Sequence, residues 1–400
     1  MRFLTLLFFC FLLAGCSIWD SFQGKSSTAS TVAAVKTSET LSTLPAGSPQ
    51  NIALLVPLDG SLANAGQAVR DGFLTAYQND KTTSKPAHIS VIDTTKQPIQ
   101  EAYKQAVQDG ADFVVGPLAK NELQTLINAG SINEPTLALN YLDSSQTAPS
   151  NLYQYGLSPL DEARQSAALA WQNGLHHAVI MAPRSAWGKT VAQAFQNEWQ
   201  ALGGDVVTQL FYTDSGQSLN ESVRNLLSKY QKHIDVIFLA ADPTTARQVK
   251  PLLKFYDADN IPIYATALVY AGTPNPTFDR DLNGVTFCDA PWVLADSGAA
   301  AQLRQQISVF WPVNFQQNGR LYALGVDAYQ LSKQLSELAA STDETLDGTT
   351  GVLSLDSQHR VVRQLTCAQF QRGKPAIITQ AVAPLNAENN EIIQDASIDG

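Results

Sequence analysis

The 400-residue chain carries 36 Asp and Glu against 26 Lys and Arg, a formal net charge of −10. That balance argues against nucleic acid or an anionic membrane surface as a partner. With 44% hydrophobic residues the chain can bury sizeable cores, and its length suggests two domains or lobes.

Residues 1–15 read as a secretory signal: Arg2 supplies positive charge, Phe3 to Leu13 is almost unbroken hydrocarbon, and small residues close it. The apolar run is about half of what spans a bilayer. Leu13-Ala14-Gly15-Cys16 resembles the lipobox of bacterial lipoproteins, in which the cysteine is acylated and becomes the mature N-terminus. In that pattern an Asp after the cysteine favours the inner membrane. Ser17 stands there, which implies the outer membrane, lipid-anchored on its periplasmic side. Removing residues 1–15 leaves 385 residues and takes the formal charge from −10 to −11.

From Cys16 to Pro49 the chain reads as a flexible tether, with thirteen Ser or Thr in residues 17–49 and no helical period. As a coil these 33 residues would have ends roughly 30 Å apart, and about 110 Å when stretched. A globular body is expected over 50–384 and a disordered acidic tail over 385–400.

Within the body, strand and helix alternate. Asn51–Val56 is a short apolar run bounded by Pro57 and Gly60, as a buried parallel strand requires. Leu62, Gly66, Val69, Phe73 and Tyr77 then line one helical face. Strand His88–Asp93, helix Pro98–Asp109, strand Asp112–Val115, helix Lys120–Ala129 and strand Thr136–Leu139 follow. A second series runs through strand Ala178–Met181, helix Ser185–Leu202, strand Val206–Phe211, helix Leu219–Tyr230, strand Val236–Ala240, helix Thr244–Tyr256 and strand Ile261–Ala265. Such alternation predicts an α/β fold with two lobes, each a parallel sheet with helices on both faces. Gly284–Cys288 reads as one more strand, then two helices (about Ala299–Phe310 and Gly319–Ala339) and β-rich pieces Thr350–Leu355 and Arg360–Leu365. These later elements suggest return crossings, the layout of type I periplasmic binding proteins. The expected division is lobe 1 at about 50–155 and 284–340, and lobe 2 at about 156–283 and 345–384.

Catalytic and cofactor motifs are missing from the sequence. Gly188-Lys189-Thr190 opens a helix after a strand, but a phosphate loop needs glycine where Pro183 stands. The five histidines form no metal-ligand spacing, and no nucleophile elbow or Cys–His arrangement occurs. The expectation is no enzyme, no cofactor and no metal. Loops at the carboxyl ends of strands are where an open α/β sheet receives ligands. Here they offer Asp59, Gly60, Ser61, Gly116, Pro117, Asn140, Tyr141, Arg184, Ser185 and Asp242 as a possible cleft lining. The same residues equally serve as helix caps and turns. Cys288 and Cys367 remain after Cys10 leaves with the signal and Cys16 takes lipid; they are either a disulfide or two separate buried thiols.

Ile52-Ala-Leu-Leu-Val-Pro-Leu58, Gly116-Pro-Leu118, Leu137-Ala-Leu-Asn140, Leu157-Ser-Pro159 with Asp161-Glu-Ala-Arg164, Pro183-Arg-Ser185, Phe195 with Glu198-Trp-Gln200, Leu202-Gly-Gly204, Tyr322-Ala323, Gly325-Val-Asp-Ala-Tyr329 and Gly348 to Gly351 occur in order. This series resembles the C-terminal domain of the LppC/LpoA family, over roughly residues 51–380. The resemblance implies a type I periplasmic-binding-protein fold and an outer-membrane lipoprotein that activates a class A penicillin-binding protein, regulating peptidoglycan synthesis. Better-known members carry a helical, tetratricopeptide-like domain ahead of this one, where the Ser/Thr tether stands here. The alternative is a periplasmic small-molecule receptor whose interlobe cleft takes an amino acid or a muropeptide.

Overall fold

The computed structural model describes residues 47–379 apart from 83, 84, 144, 145, 214, 215 and 342. The expected signal segment, the lipidated Cys16, the tether as far as 46 and the tail 385–400 lie outside the described residues.

In chain order the strands are β1 (Asn51–Val56), β2 (His88–Asp93), β3 (Phe113–Val115), β4 (Thr136–Ala138), β5 (Leu152–Gln154), β6 (His177–Pro183), β7 (Asp205–Tyr212), β8 (Val236–Leu239), β9 (Ile263–Ala265), β10 (Val285–Asp289), β11 (Leu346–Asp347), β12 (Val352–Leu355), β13 (Val361–Gln364), β14 (Thr366–Gln371) and β15 (Lys374–Ile377). The α-helices are α1 (Ala63–Asn79), α2 (Ile99–Gln108), α3 (Lys120–Asn128), α4 (Pro159–Gln172), α5 (Ala186–Ala201), α6 (Gly216–Tyr230), α7 (Pro243–Phe255), α8 (Pro291–Leu294), α9 (Ala299–Phe310) and α10 (Pro312–Leu338).

Strands β1 to β5 form one parallel sheet in the order β2-β1-β3-β4-β5. Its interior strand β1 is apolar on both faces because helices cover both. Ile52, Leu54 and Val56 join a core with Phe73 of α1 and Tyr322 of α10. Ala53 and Leu55 join another with Tyr103 of α2 and Leu123 of α3. The second sheet runs β15-β14-β10-β9-β8-β6-β7, parallel from β7 to β10 and finished by the antiparallel pair β14 and β15. A third, antiparallel sheet β11-β12-β13 sits against the first, joined to β5 by a bridge between Gln154 and Arg360.

Two expected boundaries are corrected. The strand expected over Gly284–Cys288 is placed by sequence in lobe 1, but β10 pairs with β9 and β14 in the seven-stranded sheet. Its wholly buried pattern marks an interior strand without saying in which sheet. Lobe 2 was expected to resume at 345, yet Leu353, Leu355 and Val361 of the third sheet pack into the core around β1 and α10. The chain re-enters the second sheet only at Thr366. The sequence reading also passes over β5 and α4. The buried face of α4 is largely alanine (Ala163, Ala167, Ala168, Ala170), which gives little apolar contrast to read.

Helices α1 and α10 meet backbone to backbone. A Cβ on Gly72 would stand 2.1 Å from the Tyr322 carbonyl oxygen, and one on Gly325 would stand 2.1 Å from the Val69 carbonyl oxygen. The two glycines therefore set the helix separation. Gly325→Ala is expected to destabilise the protein by about 2 kcal/mol or more, since neither backbone can yield without disturbing the core. A denaturant titration measures it; unchanged stability would mean that the helices can part freely.

Cys288 and Cys367, opposite each other on β10 and β14, form a disulfide with an S–S distance of 1.97 Å.

Candidate functional site

The residues expected to line a cleft are engaged mostly by their own lobe. Asp59 accepts from the Gly60 N–H and pairs with Lys96 at 3.2 Å; the Gly60 bond, then Lys96, lowers its carboxyl pKa. Gly60 adopts φ +73, and Ser61 beside it is exposed. Gly116 and Pro117 are buried, and a Cβ on Gly116 would stand 2.2 Å from the Leu55 carbonyl oxygen, so glycine lets the loop close on β1. Asn140 donates through Nδ2 to the Leu118 carbonyl and accepts the Tyr141 N–H. Tyr141 donates its hydroxyl to the carbonyls of Val361 (2.9 Å) and Gly156 (3.3 Å), with the Arg360 guanidinium 5.1 Å from its ring. In the second lobe Arg184 donates to the Phe211 carbonyl, and Ser185 caps α5 by accepting the Gly188 N–H. Asp242 caps α7, accepting from Thr244 and Thr245. Among the described residues no hydrogen bond joins the first-lobe set to Arg184, Ser185 or Asp242. Gly188 is a packing residue: a Cβ there would meet the Pro183 carbonyl oxygen at 2.1 Å.

A different set of side chains gathers where the chain passes between the sheets. It does so three times: after β5, after β10 and before β14. At the first passage the Tyr155 hydroxyl donates to Asp327 Oδ2 at 3.1 Å, and Arg363 donates to the Ser158 carbonyl at 3.1 Å. Asp289, at the second, is held by Arg320 through its Nε (2.9 Å) and Nη2 (2.5 Å) atoms. Arg320 also donates to the carbonyls of Ala267 and Tyr270. The third is caught by Gln165 of α4, whose Oε1 accepts the Leu365 N–H at 3.0 Å.

Two carboxylates centre this network. Asp327, fully buried on α10, accepts five hydrogen bonds: the N–H and hydroxyl of Thr349, the N–H and hydroxyl of Thr350, and the Tyr155 hydroxyl. Asp161, 7% exposed at the start of α4, lies 3.8 Å from Arg363 and 3.3 Å from Arg164. Burial pushes both carboxyl pKa values up, opposed at Asp161 by Arg363 and then Arg164, and at Asp327 by its donors. Glu162, the next residue, accepts the Ala267 N–H at 2.9 Å. Burial, and after it the Asp289 carboxylate, push the Glu162 carboxyl up to about 7.

That displacement has a sign. The folded state holds a proton on Glu162 more tightly than the unfolded chain, so stability is expected to fall as pH rises between the ordinary glutamate range and about 7. Glu162→Gln should flatten this slope, as melting temperatures from pH 5 to pH 7.5 would reveal. An unaltered slope in the variant would assign the dependence to another group.

Candidate caps are legible in a sequence because they act locally. The passage network is not, since Tyr155 meets Asp327 across 172 positions and Arg363 meets Ser158 across 205. A partial signal did exist: Asp161, Glu162, Arg164, Asp327, Thr349 and Thr350 all lie inside the short motifs quoted above.

Two α/β lobes joined by three such passages define the class of periplasmic-binding-protein-like chains. Comparison with known proteins narrows it. The family described as "LppC putative lipoprotein" matches residues 23–373, and the chain belongs to that family. Curated relatives named penicillin-binding protein activator LpoA include one from Vibrio cholerae, 30% identical over 347 residues, covering 80% of this chain and 57% of the relative. One from Pantoea ananatis is 30% identical over 360 residues, with 78% and 52% covered. The chain thus spans little more than half the length of these relatives. Among solved structures, the LpoA (YraM) C-domain from Haemophilus influenzae, described as a regulator of PBP1A, aligns with a TM-score of 0.72 at 30% identity. That match covers 82% of this chain and 100% of that one. A "putative branched-chain amino acid ABC transporter" from Chromobacterium violaceum aligns with a TM-score of 0.64 at 30% identity, covering 80% and 99%. Among the described residues no helix is long and apolar enough to cross a membrane.

Proposed function

We propose that this protein is a non-enzymatic activator of a class A penicillin-binding protein, regulating peptidoglycan synthesis by contact. In this reading lipid on Cys16 holds it at the periplasmic face of the outer membrane. The body binds a regulatory region of the synthase and biases it toward an active state. The likeness to activators and to a PBP1A regulator supports this role.

The observation that carries the proposal is the fastening of all three passages by buried and partly buried hydrogen bonds and ion pairs. A receptor that closes around its ligand needs lobes free to swing. A contact activator needs a surface of fixed shape, which rigid fastening supplies. The strand-end polar groups point the same way, since Asn140, Ser185 and Asp242 are used as latches and caps.

The test is glycan polymerisation and peptide cross-linking by a purified class A synthase, with and without the full chain. Stimulation that saturates with the full chain is expected. No change in turnover together with no binding would overturn the proposal.

A further inference from the structure

Three of the most exposed large apolar side chains among the described residues sit together where α9 turns into α10: Val309 (71%), Phe310 (66%) and Val313 (75%). Their neighbours already serve the core. Ile307 is buried in it, and Trp311 and Phe315 pack against it, with ring centroids 6.0 and 5.8 Å from that of Tyr322. Val309, Phe310 and Val313 are left over, and apolar side chains gathered in solvent mark a contact surface.

The turn is also free of charge. No Asp, Glu, Lys, Arg or His occurs from Gln305 to Gly319, in a chain where 16% of residues are charged. A charge brought against it would be desolvated without a counter-ion, so the complementary surface is an uncharged, apolar recess. Exposed Gln305, Gln306, Gln316 and Gln317 flank the apolar group in sequence. An aromatic centre without charge and a polar surround is the make-up of a protein contact. A lipid surface is instead held by Lys and Arg beside the apolar groups.

Hydrogen bonds fix where the turn stands. Asn314 donates through Nδ2 to the Asn64 carbonyl at 3.1 Å, just past the carboxyl end of β1. At the amino end of β1, Ser48 donates to the Lys333 carbonyl, and the Gln50 and Asn51 N–H groups donate to Asp112. Helical geometry breaks at Asn318 (φ −124, ψ 23) and restarts at Gly319, about four turns or 20 Å before Lys333. The chain thus enters the first lobe at one end, and the α9–α10 turn stands at the other. A lipid on Cys16 pulls on the entry, which turns the far end toward a synthase rooted in the inner membrane.

We propose that the α9–α10 turn is the docking surface for the synthase, with Phe310, Val309 and Val313 entering an uncharged apolar recess on its periplasmic part. This contact presupposes the activator role proposed above, which by itself names no surface.

The test uses the full chain in detergent and a purified class A synthase, measuring both the dissociation constant and the stimulation of glycan polymerisation. Phe310→Gln combined with Val313→Gln should raise the dissociation constant at least about tenfold and shift half-maximal stimulation by the same factor. Both side chains are exposed, so the melting temperature should not move. Phe255→Gln combined with Phe278→Gln removes apolar side chains that are 75% and 60% exposed elsewhere, and should leave both readouts unchanged. Should the first variant melt lower, Val313→Gln alone is measured, and a photo-crosslinking benzoylphenylalanine in place of Phe310 should join the chain to the synthase. Undiminished binding, or no crosslink, overturns the docking surface and leaves the activator role standing. An equal loss in the Phe255→Gln, Phe278→Gln chain overturns it too. Loss of self-association, or of binding to phosphatidylglycerol vesicles, in place of synthase binding would give the turn to a second copy or to lipid and overturn it likewise. If the unsubstituted chain neither binds nor stimulates, the activator role falls and the docking surface with it.

Discussion

Asp327→Ala is expected to cost about 4–5 kcal/mol of stability, more than any other single substitution considered, because two buried backbone N–H groups lose their acceptor and three buried hydroxyls lose their charged partner at once. The Thr349 and Thr350 backbone N–H groups cannot turn to water, since both residues are nearly or fully buried. Loss of the carboxylate also leaves the turn 348–351 held to α10 by the Thr349 hydroxyl on the Ala323 carbonyl, and so loosens Trp292, whose N–H donates to the Thr349 carbonyl. Asp327→Asn keeps the volume but sets an amide N–H₂ against threonine donors, so it should recover only part of the loss. Chemical denaturation of both variants measures this. If Asp327→Ala melts with the unsubstituted protein, the five bonds contribute little.

Arg363→Met is the second large effect, about 3–5 kcal/mol, for a reason that differs in kind. Arg363 is 2% exposed, and removing it leaves Asp161 buried with only the weaker influence of Arg164 and then Arg360 as counter-charge, and takes a cation away from Glu162. Breaking a buried pair costs more than replacing it. Accordingly the double variant Asp161→Leu with Arg363→Met should be less destabilised than the two single losses added together, by about 2 kcal/mol. A double-mutant cycle from urea midpoints decides it; strict additivity would mean that the two side chains do not act as a pair.

These two carboxylates also mark the limit of what the sequence discloses. Most strands and helices of both lobes are legible, because a strand buried on two faces is an unbroken apolar run and its helix repeats at three or four residues. Asn51–Val56 and His88–Asp93 occupy their expected bounds. The helix expected from Gly319 coincides with the restart after Asn318. Sheet membership is different. Strand β10 carries no local mark of its neighbours, so only its edge-to-edge pairing with β9 and β14 assigns it to the second sheet. Strands β14 and β15 mix polar and apolar residues, β15 as the edge of the sheet and β14 beside it, and they escape a search for buried runs. The same holds for chemistry. Asp59, Ser185 and Asp242 can be read as caps from the residues beside them, whereas Asp161 and Asp327 become central only through partners far along the chain.

The disulfide between Cys288 and Cys367 stands where the chain leaves the second sheet for the first and where it comes back. Everything between, from α8 through α10 to the third sheet, is thereby one covalent ring whose base is clamped in the second lobe. A protease that cuts once within that ring releases no fragment; the nicked halves stay joined until a reductant acts. If the ring detaches from α1, it cannot drift away, and its return is a search within a tethered volume. In an oxidising compartment the fold thus keeps its longest helix within reach of its place even while that helix is out of it.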